Sequence, residues 1–556
     1  MTRAQKPTKA KKHKSTEAKI KAKLIYALIT CALIIAAAFY AFRGGKVSIT
    51  QYNVINRHPE IQPDYSGTVI PPNIAPLNFF IQQDGSRYFV RIHSKKGKPI
   101  EILSSTPKIM IPQQAWSKLL ASNGGRQLSF DIFVETQAAK SSSKAKMERW
   151  SRFETITNEI ADADEEIDAF LVYRKIRPGH RIWGDMGIYQ RNLNSFNESV
   201  VLNNEYFKHG CLNCHTFCNN RTDKMFIGIR SAVYGSSVLL VEDDKVNKIG
   251  TKFGYTSWHP SGRVAAYSIN NVNQFFHSAR SEVRDVIDLD SLLAYYLVDS
   301  QTIKTSPEIS KKDRLETYPA WSQGPNGADY LYFCSAPLFW SERNIIPERF
   351  DEIKYDLVRI SYDIDNDQWG KLETVLLAQD TGLSILLPRI SPDGRWLLFC
   401  MCNYGCFPVY QQSSDLYMID LDAAQRTGKY EYRRLEINSD KSESWHSWSS
   451  NSRWIAFSSK RQSGVFTRTY ISYVDWQGKV YKPFLLPQKD PTYYDSCLWT
   501  YSVPELVRQP VSVTKEKLGR VVRGSRIIPG RMPVTMATPK AGAPPEPAQP
   551  WLTERE

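Results

Sequence analysis

The chain has 556 residues, too many for one ordinary core, so two or three domains are expected. Hydrophobic residues make up 42% and aromatics 12%, with 29 Tyr, 24 Phe and 14 Trp, a composition that suits a strand-rich globular protein. The net charge of +15 suggests nucleic acid until it is located: it lies in residues 1–23 (+8) and 508–531 (+6), and 24–507 carry only +2, which argues against a nucleic-acid partner.

In chain order, residues 1–23 form a basic head. Residues 24–42 (LIYALITCALIIAAAFYAF) are 19 residues without a charge, long enough to cross a bilayer as a helix. The excess of positive charge before this run predicts a single-pass anchor in a bacterial inner (cytoplasmic) membrane. The N-terminus is then cytoplasmic and the bulk periplasmic. A cleaved signal peptide is the competing reading, but the apolar run is long for one and no clear cleavage site follows. Residues 43–69 read as a stalk. Residues 70–200 read as a β-rich domain with a connector: hairpin signals surround Asp84-Gly85, Leu128, Phe130, Ile132 and Val134 alternate with other residues, 159–167 suggest a short helix, and 176–206 read as packed loop.

Residues 201–225 hold the sharpest motif, CLNCH at 211–215. CxxCH is the attachment signature of a c-type haem: Cys211 and Cys214 can add to the two vinyl groups, and His215 can reach the iron as proximal ligand. With nine Cys and nine His, random placement gives roughly 0.002 such motifs per chain. A Cys211–Cys214 disulfide and a zinc site including His209 are the competing readings, although neighbouring ligands such as Cys214 and His215 suit tetrahedral zinc poorly. For the sixth position Met225 is the distal candidate, with His209, His180, His259 or an open position as alternatives. No helical cytochrome domain surrounds the motif. The expectation is one covalent haem c wedged at the seam between the β-domain and the repetitive region C-terminal to it.

That region, 226–506, carries turn-like stretches at Trp258, Trp321, Ile390 and Trp448, each leading into an apolar strand and then a second strand. Units of this kind predict propeller blades, most simply six, with a less regular blade over 225–250, insertions at 271–290 and 335–352, and ring closure by 470–506. Cys400, Cys402 and Cys406 cluster after one blade strand, and a disulfide is the first expectation there. Cys218, Cys334 and Cys497 are left without assigned pairing. His446, between Trp445 and Trp448, is expected to make a structural hydrogen bond. Residues 507–556 read as a disordered tail, basic and then Pro/Ala-rich.

The SPDG-like units resemble the TolB-type, WD-repeat-like β-propeller family. The stretches SESWHSWSSNSRW at 442–454, KPFLLPQKDP at 482–491 and PPNIAPLNF at 71–79, together with CLNCH, resemble a membrane-anchored (Bacteroidetes-type) subfamily often labelled cytochrome c biosynthesis protein. The resemblance implies a propeller and a haem motif but names no substrate. No G-x-S-x-G elbow, phosphate loop or H-E-x-x-H helix offers catalytic machinery. The expected function is electron transfer or redox sensing, with a protein partner on the propeller face. The alternative is a non-redox envelope propeller in which CLNCH is a structural disulfide.

Overall fold

The computed structural model describes residues 49–136, 150–177, 184–277, 284–323, 329–342 and 345–529. The basic head and the expected anchor at 24–42 lie outside the described residues. No described helix is long and apolar enough to cross a membrane.

The N-terminal part is built on the long strand Gln127–Glu135. It pairs antiparallel with Arg87–His93, Trp150–Phe153 and Ile156–Ile160. Leu128, Phe130, Ile132 and Val134 are all buried, as their alternation predicts. The opposite face is covered as well. There Asp131 accepts from Arg152 (3.0 Å) and Thr155 (2.7 Å) and contacts His93 (3.0 Å), a buried carboxylate satisfied from three sides. The helix Gln113–Ala121 closes this domain with buried Trp116, Leu119 and Leu120, and the Trp116 indole donates to the Ile74 carbonyl at 3.0 Å. Two expectations change here. The stalk is not a stalk over its described length, because Asn53–Ile55 pairs parallel with Trp150–Phe153 and Ile61–Gln62 pairs antiparallel with Phe79–Ile81. The acidic stretch 159–167 read as a helix forms none: Glu159 and Ile160 end the strand Ile156–Ile160, and 161–167 are turn and loop.

Among the described residues, six four-stranded antiparallel sheets form the remainder. Their innermost strands touch in a closed circuit: Thr500–Val507, Cys211–Cys218, Thr256–Trp258, Arg314–Gln323, Ser384–Ile390 and Glu443–Trp448. This is a six-bladed β-propeller. A lone four-stranded blade exposes two apolar faces, and stacking around an axis buries both. Blade one is composite. Its inner strand, Thr500–Val507, arrives from the far end of the chain and pairs antiparallel with Phe170–Ile176, beyond which lie Met186–Asn192 and Glu198–Asn203. The ring is thus fastened by hydrogen bonds between segments over 300 residues apart, as in Leu171 facing Leu506.

The ring therefore begins at Phe170 rather than at 226, and the stretch read as connector supplies two blade strands. The haem-motif segment is not a separate unit at a seam; it is the inner strand of blade two. The seam lies elsewhere. One continuous core runs from the N-terminal domain (Ile70, Trp116, Phe130) into Tyr173, Trp454 and Tyr501 of blades one and six. Asn78 donates to the Lys489 carbonyl at 2.8 Å and the Trp454 indole to Glu165 O at 2.7 Å across it. Thr500–Val507 closes the ring where closure was expected, and the segment read as a disordered tail is ordered beyond it, with Lys515–Arg523 a helix.

Candidate functional site: the axial cavity

Each inner strand runs along the propeller axis. Five of them carry a ladder irregularity at an equivalent place: between Asn213 and Thr216, Thr317 and Ala320, Leu386 and Arg389, Ser444 and Ser447, and opposite Val172 to Arg174 in blade one. A bulge admits an extra residue and re-aims its neighbours. Here it puts Tyr318, Leu387, Trp445 and Val503 at φ of 53°, 54°, 45° and 51°. The left-handed region is costly for bulky and β-branched side chains, on the order of 1–3 kcal/mol each. These four residues line the axial cavity, as do the residues that come after them: Pro319, Pro388, His446 and Pro504.

Cys214 and His215 occupy the same two positions in blade two. The equivalence continues outward. Phe217 pairs with Met225 as Trp258 pairs with Ala265, Trp321 with Leu331, Ile390 with Leu397 and Trp448 with Ile455. Asn219 and Asn220, at φ of 53° and 58°, turn the chain after Phe217 much as Gly262 and Gly394 (71° and 77°) do in blades three and five. Asn tolerates that conformation better than other side chains. CHTFCNNR is thus one more copy of the repeat, with its glycine replaced by asparagine, which is why the SPDG pattern did not find it.

His215 is 2% exposed and lines the cavity. Neither ring nitrogen makes a well-formed hydrogen bond. Burial and the Arg174 charge hold its pKa down at about 3, although the backbone oxygens of Val172 and Val503 pull the other way. The imidazole is therefore neutral. Around it stand Arg174, whose Nε donates to Ser502 at 3.1 Å, and Arg389, which pairs with buried Glu505 at 2.5 Å. Burial pushes the Glu505 pKa up, and Arg389 opposes it. Tyr255 packs on Tyr318 at 4.0 Å between ring centres, and Phe407 lies 5.5 Å from Trp445, giving the cavity an aromatic wall. The space between these side chains is about 740 Å³ including its open mouth, of which about 70 Å³ admits the centre of a water molecule.

The other sequence candidates are placed differently. Cys211 is buried in the core between blades one and two with Phe207, Leu212 and Met225. Met225 is 1% exposed, holds the second-strand core position just described, and does not line the cavity. His209 is exposed and bonded to the Gly184 carbonyl at 2.9 Å; His259 sits 2.9 Å from the Asp329 carboxylate and 2.7 Å from Ser261. His180 lies outside the described residues. His446 makes the structural bond expected of it, donating from Nε2 to the Leu398 carbonyl at 3.1 Å. Its Nδ1 faces Cys400 Sγ at 3.7 Å, but burial raises the thiol and lowers the imidazole to about 3, so both stay neutral and form no thiolate nucleophile.

The disulfide expected among Cys400, Cys402 and Cys406 is not made. All three are buried thiols, with Cys402 donating to the Tyr404 carbonyl at 3.3 Å and Cys406 to Val286 O at 3.7 Å. Among the described residues there is no cluster of three or more His, Cys, Asp or Glu arranged to hold a metal ion.

As a test of the haem expectation, the donor set suits the group. His215 is a buried, neutral imidazole that makes no well-formed hydrogen bond, so a ring nitrogen is free to bind iron, and Arg174 and Arg389 supply cations for carboxylates. Cys211 packs away from the cavity, and the aromatic wall leaves the space narrow.

No protein-family model and no curated protein matches the chain. Solved structures with a similar course include a putative TolB from Agrobacterium tumefaciens (14% identity, 58% of this chain and 89% of that one, TM-score 0.32). Another is the GH74 enzyme of Niastella koreensis (10%, 56% and 44%, 0.35). A third is Kuenenia stuttgartiensis hydrazine synthase (14%, 48% and 64%, 0.26). The chain spans less than two thirds of the length of the last two.

Proposed function

We propose that the protein is a c-type haem-binding propeller, anchored to the membrane by residues 24–42, that transfers single electrons or senses redox state. The observation that carries this reading is His215. A motif that chance does not explain ends in a histidine that is buried in the axial cavity, where neither ring nitrogen makes a well-formed hydrogen bond. Unsatisfied buried polar atoms are rare in folded proteins and call for a missing partner.

In this reading His215 holds the iron, Cys214 supplies a thioether from the neighbouring position, and Arg174 and Arg389 neutralise carboxylates. A bound haem would supply one-electron chemistry. The protein's part is to keep His215 neutral by burial, to hold the cations through Ser502 and Glu505, and to limit water with Tyr255, Tyr318, Phe407 and Trp445. The opposing reading, a non-redox binding propeller with CLNCH as a structural disulfide, is separated by one experiment. Full-length protein is made alongside haem-attachment machinery, denatured and stained for haem. A band that survives denaturation is expected; its absence sinks the haem reading.

A further inference from the structure

The outer face of the N-terminal sheet turns away from the propeller, because Leu128, Phe130, Ile132 and Val134 fill the shared core from the inner face. Strand register lays one row straight across this outer face. Val54 pairs with Arg152, Arg152 with Phe133, Phe133 with Phe89, and Phe89 with Leu103 of the strand Ile100–Ser104. Five strands at the usual spacing make the row about 19 Å long. Its two ends are bare: Val54 is 65% exposed and Leu103 44%. Its centre is roofed by the face's own side chains. Tyr52 lies edge-on to Phe133 at 5.4 Å between ring centres, and the Arg152 guanidinium is 5.9 Å from the same ring. Beside the row, Arg87 lies over the Trp150 ring at 5.4 Å.

The charges along this row answer one another. Arg87 pairs with Glu135 at 2.7 Å, Arg152 and His93 each approach Asp131 at 3.0 Å, and Arg91 lies 3.9 Å from Glu101. Paired ions cost less to take from water than lone ones. Aromatic rings and long arginine stems with polar tips suit the headgroup layer of a bilayer, where water and apolar chains are both within reach. Chain length brings the two together. Phe42, the last residue of the apolar run, stands ten residues before Tyr52, a span of at most about 36 Å. Tyr52 is itself folded onto the outer face, so the chain enters the body from this side. A tether that short holds the face near lipid at high effective concentration, and a weak contact is then enough.

We propose that the outer face of the N-terminal sheet, centred on the row from Val54 to Leu103, rests on the headgroup layer of the bilayer and holds the propeller on the side away from it. The proposal rests on the reading of residues 24–42 as a membrane anchor. Because the arginines and carboxylates of the face are paired, zwitterionic lipid suffices.

The test uses full-length protein reconstituted in phosphatidylcholine vesicles that carry a nitroxide on the lipid headgroup. Val54→Cys, Leu103→Cys and a control, Ile345→Cys, are labelled with a thiol-reactive fluorophore, and the signal of identically treated wild type is subtracted. Ile345 is 61% exposed and belongs to blade four, across the ring from blade one. Quenching at positions 54 and 103 is expected to exceed that at 345 at least threefold, and to be the same at 50 and 500 mM salt. Adding Val54→Asp to the Leu103→Cys chain should reduce quenching at position 103 at least twofold, because a lone carboxylate at the row's end resists leaving water. Quenching indifferent to Val54→Asp means that the tether alone brings the face near lipid, and it overturns the contact. So does quenching that requires phosphatidylglycerol, which would place the attraction in unpaired basic residues. Alkaline carbonate separates the contact from the anchor. A chain washed off the vesicles overturns both, whereas a chain that stays bound and quenches equally at all three positions overturns the contact alone.

Discussion

His215 and His446 occupy the same position in the inner strands of blades two and six, but of the two only His446 makes a well-formed hydrogen bond, through Nε2 to the Leu398 carbonyl at 3.1 Å. One repeat position thus serves two ends. His446→Ala should cost about 1–3 kcal/mol, because it strands a buried carbonyl. His215→Ala removes no well-formed hydrogen bond and strands no carbonyl, so it should lower the urea midpoint less than His446→Ala does. If the two variants lose equal stability, His215 is a structural residue and the site assignment falls.

The thiols should also separate. Cys214 precedes the cavity-lining His215 in the strand, whereas Cys211 packs with Leu212 and Met225. Cys214→Ala is expected to abolish the denaturation-resistant haem band, and Cys211→Ala to weaken it less. Equal loss would mean that the start of this strand rearranges on loading.

Acid should loosen the ring. Burial holds both His215 and His446 down at about 3. A histidine depressed in the folded state binds its proton more readily when unfolded, so stability falls as pH drops from about 6.5 towards 3. Denaturant midpoints for wild type should decline across that window, and His446→Asn should flatten the decline. A flat wild-type profile would contradict the burial of these rings.

Alkali should act through a different pair. Burial pushes Asp288 up to about 7 and Glu316 up to about 8. A raised carboxyl favours the folded state while it holds its proton. Its contribution is full below about 4, the ordinary carboxyl range, and is lost as pH rises through the folded value. Asp288→Asn should therefore raise Tm relative to wild type by more at pH 8 than at pH 5. The same difference at both would show that Asp288 does not titrate in this range.

Truncation separates ring closure from the packing of the C-terminal strap, residues 508–529. A chain ending at Val507 keeps the inner strand of blade one and should still fold, but with a lowered Tm, because it strips buried Val511, Val513, Leu518 and Val522 from the core between blades one and two. A chain ending at Leu498 loses that strand, leaves Phe170–Ile176 unpaired on one edge, and should aggregate or lose cooperative unfolding. Proteolysis and calorimetry distinguish the two.

The composition, the alternating strand at 127–135 and the turns at 258, 321, 390 and 448 are local signals, and four copies of the repeat were enough to indicate a strand-rich propeller, while its count of six blades was settled by the tertiary structure. The sequence also singled out Cys211, Cys214 and His215, because three rare residues at fixed spacing need no fold to be noticed. Tertiary structure decided what those residues are part of. Blade one joins residues 170–203 to 500–507, a pairing between distant segments that no window of sequence contains. The asparagine turn at 219–220 hid the fifth copy of the repeat until strand register aligned Phe217 with Trp258 and Trp448. Met225 read as a ligand by distance along the chain and became a core residue once cross-strand pairing was known. The cavity around His215 is assembled from all six inner strands, and the strap that closes the core between blades one and two comes from the far C-terminus. Side-chain chemistry was written locally, whereas convergence depends on which strands meet at the axis.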